Sequence, residues 1–329
     1  MNQELIKSIF SIKNMDEFES LCLKIFSFQA QSNPVYKEFL YHLNIDPLKI
    51  NTLNKIPFLP IDFFKSRRVI SGSNSSEKVF FSSGTTGITR SSHFVTDLSV
   101  YEQSFITGFE LFYGPIKEYC ILAVLPSYLE NESSSLVYMA DHLIRLSGHS
   151  ESGFYLNNHN DLLSQLKKLE NASQKTILLG VSYALLDLAE KSPIKLNHTL
   201  IMETGGMKGR RKELTRSELH SILTSKFGVK TIHSEYGMTE LLSQAYSKGN
   251  GKFHCPPWMK IIIRDTYDPF SFVDIGKSGG INIIDLANIN SCCFIETKDL
   301  GKLNPDGSFE VSGRFDNSDI RGCNLLIAQ

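Results

Sequence analysis

The 329-residue chain has no stretch approaching 18 consecutive apolar residues, so no transmembrane helix is expected. Its start, Met1-Asn2-Gln3-Glu4-Leu5, has neither a basic n-region nor an apolar core and does not read as a secretory signal. Net charge is −1, which gives no global electrostatic reason to expect nucleic acid or an anionic membrane as partner. The six cysteines, at 22, 120, 255, 292, 293 and 323, show no C-x-x-C spacing, and the nine histidines no H-x-x-x-H spacing. A metal cluster or a disulfide framework is not expected, and the cytoplasm is the default compartment. Internal repeats and low-complexity tracts are also missing. A composition of 41% hydrophobic and 21% charged residues is that of an ordinary globular protein with a large core.

One segment stands out. After a β-branched and aromatic run, Lys78-Val79-Phe80-Phe81, the chain reads Ser82-Ser83-Gly84-Thr85-Thr86-Gly87-Ile88-Thr89-Arg90. Glycines let backbone N–H groups approach an anion, hydroxyls add donors, and Arg90 adds charge, so the loop can cradle phosphate. No Gly-Lys-Ser/Thr follows, so it is not a P-loop. The plainer reading is a flexible Ser/Gly linker.

Two further segments lie downstream. Ser234-Glu235-Tyr236-Gly237-Met238-Thr239-Glu240 follows a strand-like Val229–His233, and Thr297-Lys298-Asp299-Leu300-Gly301 precedes Gly313-Arg314-Phe315-Asp316. In this order and spacing the three resemble the adenylate-forming superfamily of acyl-CoA synthetases, luciferases and peptide-synthetase adenylation domains. The resemblance covers roughly residues 78–325.

It implies ATP and Mg²⁺ as cofactors and gives each motif a role. Ser82, Ser83, Gly84, Thr85, Thr86 and Gly87, with Arg90, would hold the β- and γ-phosphates; arginine stands where the family usually has lysine and keeps the charge. Glu240 would bind Mg²⁺, a hard cation suited to carboxylate oxygen. Thr239 would donate to the α-phosphate and Tyr236 would stack on adenine, with Gly237 and Met238 completing that motif. Asp299 would take the ribose hydroxyls with Arg314 beside it; Lys298 stands where the family has glycine. Gly205-Gly206 resembles the glycine pair beneath adenine and acyl group, where a flat ligand packs on backbone without Cβ atoms. Leu125-Pro126-Ser127-Tyr128 and Gly180-Val181-Ser182-Tyr183 lie where the family lines its acyl pocket. The basic run Lys208-Gly209-Arg210-Arg211-Lys212, with Arg216, reads as a solvated loop, or as a docking edge for an acidic partner such as an acyl carrier protein.

Along the chain, Leu5, Ile9, Ile12, Phe18, Leu21, Leu23 and Phe26 recur near helical period. Helices are expected over Asp97–Phe112, Ser134–Leu146, Asp161–Leu169, Ser182–Glu190 and Glu213–Lys226. Strands are expected over Cys120–Leu125, Thr176–Leu179 and Thr199–Met202. That alternation predicts an α/β fold with a mostly parallel sheet flanked by helices. After residue 250, short apolar runs between Gly, Pro and Asp predict a small antiparallel β unit. The expected division is a helical segment over 1–75, an α/β core over 76–246, a β subdomain over 247–313 and a hinge-derived tail over 314–329. The stretch Pro57–Lys65 reads as a surface-packing connector.

Thirteen residues follow Asp316, where most of the superfamily continues into a further domain carrying the adenylation lysine. The chain is therefore expected to lack that domain. In this short form it most resembles the LuxE-like acyl-protein synthetases of the bioluminescence fatty-acid reductase complex. The matching segments are 81–87, Pro126-Ser127-Tyr128-Leu129, Gly205-Gly206-Met207-Lys208, 236–240 and Ser318–Leu326. The resemblance implies that a fatty acid is activated as acyl-AMP, moved to a thiol near the C-terminus, here Cys323, and passed to a reductase partner. A thiolate can attack an acyl-adenylate carbonyl; a small buried residue closing a strand is the other reading of Cys323. A coenzyme A- or carrier-directed ligase, and a non-catalytic binder of the same fold, remain alternatives.

Overall fold

The computed structural model describes residues 2–83, 89–126, 128–205 and 214–315. Helices α1 (Asn2–Ile9), α2 (Met15–Ser32) and α3 (Pro34–His42) come first, and Asn33 both ends α2 and caps α3 through Tyr36 N. The strand β1 (Leu59–Pro60) and the turn α4 (Phe63–Ser66) lead to a hairpin of β2 (Lys78–Phe81) and β3 (Ser92–Val95). Next come α5 (Leu98–Tyr113), β4 (Cys120–Val124), α6 (Ser135–Ser147), β5 (Gly153–Phe154), α7 (His159–Asn171), β6 (Thr176–Val181), α8 (Ser182–Lys191), β7 (Thr199–Thr204) and α9 (Arg216–Phe227). The remainder is β: β8 (His233–Tyr236), β9 (Ala245–Ser247), β10 (Phe253–His254), β11 (Met259–Arg264), β12 (Ser278–Asp285), β13 (Phe294–Leu303) and β14 (Phe309–Arg314).

Twelve strands form one sheet in the order β11-β12-β13-β14-β10-β9-β8-β7-β6-β4-β5, with β1 added parallel to β13. Strands β5, β4, β6, β7 and β8 are parallel neighbours. The pairings from β8 through β9 and β10 to β11 are antiparallel. This is the mixed α/β architecture expected. β4 and β6 are buried at every position, as strands covered on both faces must be.

Local chemistry sets the helix limits. Asp97 accepts from Ser99 N at the start of α5, and Ser134 accepts from Val137 N at the start of α6. Thr215 and Glu218 form a reciprocal capping box on α9. The basic run 208–212 ahead of α9 lies outside the described residues, but Arg216 itself turns inward. Its Nε lies 3.4 Å from Glu203, its Nη1 donates to Val311 O at 3.1 Å, and its guanidinium stacks over Phe253. It is neither a solvated loop residue nor a free docking charge.

The Pro57–Lys65 stretch does more than connect. Leu59 pairs with Ile295, Ile61 N donates to Glu296 O, and Asp62 meets Lys298 Nζ at 2.6 Å. Among the described residues no helix is long and apolar enough to cross a membrane.

Candidate active site

The hairpin β2–β3 presents the Ser/Thr/Gly loop. At its foot Ser82 N donates to Ser91 O at 3.0 Å, and Ser91 N donates to Ser82 Oγ at 2.9 Å. Ser83 and Arg90 are exposed. Gly84, Thr85, Thr86 and Gly87 lie outside the described residues.

The second motif leaves the carboxyl end of β8, next to the carboxyl end of β7, the edge at which open α/β sheets bind ligands. Three side chains from elsewhere fix the Met238–Ser243 segment. His93 Nδ1 lies 2.8 Å from Thr239 O, and Asn288 Nδ2 donates to Glu240 O at 2.8 Å. Asp285 accepts from Leu242 N, Ser243 N and Ser243 Oγ. Burial pushes the Asp285 carboxyl up to about 6 even with these donors. Thr239 and Met238 are half-buried, whereas Glu240 is buried.

Burial raises the Glu240 carboxyl above the usual range; a hydrogen bond from Ser91 and the positive charge of Arg314 pull it part of the way back, and Asp299 pushes it up again. The loop foot, Glu240 and the Asp299–Arg314 pair therefore share one electrostatic neighbourhood. Across the β13–β14 ladder Asp299 lies opposite Arg314, whose Nε lies 3.1 Å from Asp299 Oδ1. On the other carboxylate oxygen Tyr236 donates its hydroxyl at 2.7 Å. The Tyr236 ring is 8% exposed and packs with Phe253 and Phe309, so little of its face is left for a base. Lys298 turns away from Asp299 toward Asp62.

Beneath these lies a polar floor. Gly205 has φ +69°, a conformation that favours glycine, and its carbonyl accepts from Ser182 Oγ. Gly206 and Ser127 lie outside the described residues. Leu125 and Tyr183 are buried. Thr204 Oγ1 donates to Glu235, and a Cβ on Gly237 would fall onto Glu235 Oε1, so a larger residue there would have to displace that carboxylate. Burial, helped by the charge of Glu203, lifts Glu235 to about 7 against the Thr204 hydrogen bond. Glu203 has the opposite balance: burial raises it, but His220, Arg216 and Ser234 hold it below its ordinary value.

The folded state thus keeps the Glu235 proton to a higher pH than the unfolded chain does. The stability this confers is complete below the unfolded value and lost as pH rises through about 7. Glu235→Gln is expected to remove a loss on the order of 3 kcal/mol between pH 5 and pH 8. Urea unfolding of both proteins at both pH values measures it; parallel losses would show that Glu235 does not titrate there.

Of the residues singled out in the sequence, Ser82, Tyr236, Thr239, Glu240, Asp299 and Arg314 are linked to one another directly or through Ser91 and His93. Gly205 and Gly237 flank Thr204 and Glu235. Cys323 lies outside the described residues. The sequence pattern gives no role to Ser91, His93, Asp285, Asn288 or Thr204, nor to Glu235 within its motif. The one local signal for the first two was their alternation, Ser91-x-His93, into an otherwise strand-like run.

The family model for the acyl-protein synthetase LuxE matches residues 11–329. The chain belongs to the LuxE acyl-protein synthetase family. No curated protein sequence matches it. Among solved structures it is similar to ATP-bound MatB from Rhodopseudomonas palustris, at TM-score 0.55 and 16% identity over 72% of this chain and 47% of that one. It is also similar to 2-hydroxyisobutyryl-CoA ligase in the postadenylation state with 2-HIB-AMP, at 0.65 and 12% over 93% and 69%. A third is O-succinylbenzoate coenzyme A synthetase from Bacillus subtilis with AMP, at 0.53 and 18% over 75% and 50%. At such identities the likeness is one of fold, that of the large domain of adenylate-forming ligases. This LuxE-family chain spans about half the length of MatB.

Proposed function

We propose that the protein activates a carboxylic acid, of the fatty-acid class, with ATP and then passes the acyl group to a thiol. What carries the reading is the linkage of three separate segments at the strand ends: the foot of the Ser82–Arg90 loop, Glu240, and the Tyr236–Asp299–Arg314 cluster. Family membership and the nucleotide-bound neighbours support it.

In the first step a carboxylate oxygen of the acid attacks the α-phosphorus. The new P–O bond forms as the bond to the β-phosphate breaks and pyrophosphate leaves. The loop with Arg90 holds the departing phosphates, Thr239 donates to the α-phosphate, and Asp299 accepts from the ribose hydroxyls. Glu240 is the residue to hold Mg²⁺. A cation there offsets the burial that disfavours its carboxylate, and a single carboxylate suffices where substrate phosphates complete the shell. Mg²⁺ would supply neutralisation of the phosphate charge. In the second step a thiolate attacks the acyl carbonyl, a C–S bond forms, and AMP leaves as its C–O bond breaks.

Cys323 is the proposed thiol. Burial raises the thiols of Cys22, Cys120, Cys255 and Cys293 and pushes Cys292 up to about 12, which makes all five poor nucleophiles. A partner reductase or acyl carrier protein would take the acyl group onward.

The test is acid-dependent exchange of labelled pyrophosphate into ATP over aliphatic acids of graded length. Exchange with one length class is the expected result. A folded protein that exchanges with no acid overturns the reading in favour of a binder.

A further inference from the structure

His93 is wholly buried on β3, opposite Phe80 of β2 and edge-on to Phe64. Its Nδ1 lies 2.8 Å from Thr239 O. A carbonyl oxygen can only accept, so Nδ1 carries the proton and Nε2 carries the lone pair. That second nitrogen is buried without a hydrogen-bond partner among the described residues. Charging the ring would add an N–H with nothing to receive it, and burial accordingly pushes His93 down to about 4. The ring is a neutral, single-tautomer donor.

Its place in the strand gives the contact meaning. Ser91 and His93 are two residues apart and share one face of extended chain. Ser91 lies near enough to the Glu240 carboxyl to favour its charged form, and His93 holds the preceding carbonyl, that of Thr239. Ser91 is also the residue that closes the foot of the Ser/Thr/Gly loop on Ser82. One short run of backbone thus fixes the loop at one end and the Thr239–Glu240 pair at the other. Asn288 holds the Glu240 carbonyl as well, and Asp285 holds Leu242 and Ser243 just beyond it.

We propose that His93 is a positioning residue that sets the register between the Ser82–Ser91 foot of the loop and Thr239–Glu240, so that both act on one nucleotide. The inference rests on the adenylation reading above. His93 needs no contact with substrate and no change of charge in this role. It must supply one donor, at one distance from the strand.

The distance requirement makes the test sharp. Asparagine places an amide N–H near the position of Nδ1, glutamine places it one bond further out, and leucine has no donor. His93→Leu and His93→Gln are expected to lower kcat for acid-dependent pyrophosphate exchange about 100-fold, as a 1 Å misplacement can. His93→Asn is expected to stay within tenfold of the parent, and the KM for the acid to stay unchanged in all three. Thermal unfolding is measured alongside. If the losses follow the fall in Tm, or Asn is no better than Gln, His93 is only a packing residue.

A readout independent of activity and of substituted side chains is ¹⁵N NMR of the histidine rings in the parent protein, assigned by the signal missing in any folded variant. The pattern of a neutral Nδ1–H tautomer from pH 8 down to pH 5.5 is expected. An Nε2–H tautomer, or a charged ring at pH 6, overturns the proposal. An inactive parent protein would instead refute the adenylation reading, while the ring spectrum would still decide the geometry.

Discussion

Glu240→Gln is expected to abolish ATP–pyrophosphate exchange, with a loss of at least about 100-fold, while the protein unfolds no earlier than its parent. The first half follows from charge. A bound divalent ion contributes several kcal/mol to stabilising a phosphoryl transition state, and each 1.36 kcal/mol is tenfold in rate. An amide of the same shape cannot replace the carboxylate charge. The second half follows from burial. The Glu240 carboxyl is raised, so the folded state loses stability as pH rises through that folded value, and glutamine carries no such penalty. Its amide can still meet Ser91. Exchange rate and Tm at pH 8 check both halves. A variant with full exchange would make Glu240 structural; a variant that melts well below the parent would tie the carboxylate to folding.

Cys323→Ser is expected to separate the two steps. With a labelled fatty acid and ATP the parent should acquire covalent label that neutral hydroxylamine releases, as a thioester does. The serine variant should lose it, because an alcohol is hardly ionised near neutral pH, while pyrophosphate exchange continues. The stretch from Asp316 to Cys323, fully extended, spans at most roughly 23 Å at about 3.3 Å per residue, which sets the reach the reading requires. Label retained by the variant would assign the acceptor to another thiol. Exchange lost along with the label would give Cys323 a part in the first step.

The strands and helices of the parallel half were legible because their signals are local. β4 and β6 are unbroken apolar runs, and α5 begins at the cap Asp97 and ends at Gly114 with φ +84°. The helix expected from Glu213 begins at Arg216, because its cap is Thr215. The apolar run of β13 starts at Cys292, but the strand begins at Phe294 because Cys293 N is taken by Gln29. What was hidden is pairing across distance. β1 is two residues long and exists only because it docks on β13, which no periodicity reveals. The same applies within the site. Tyr236 and Glu240 stand out as a motif, but Asp285 and His93 matter through contacts made over 42 and 146 positions of chain. Sequence patterns report what a residue does to its neighbours in the chain, and these residues act on strangers.

The amino-terminal helices carry the same lesson into biosynthesis. Gln29 on α2 donates to the carbonyls of Asn288, Ile289 and Ser291 and accepts from Cys293 N, while Asn33 donates to Ser291 O. These groups are buried, and the partners are about 260 positions apart in the chain. A ribosome releases α2 long before the 286–293 segment. Until then the amide of Gln29 lacks these partners, and Phe26 meets Tyr36 of α3 but not Phe294. Contacts of such sequence separation slow folding, since a long loop must close before anything is gained. The buried polar groups of α2 therefore wait for partners made about 260 residues later before they are satisfied.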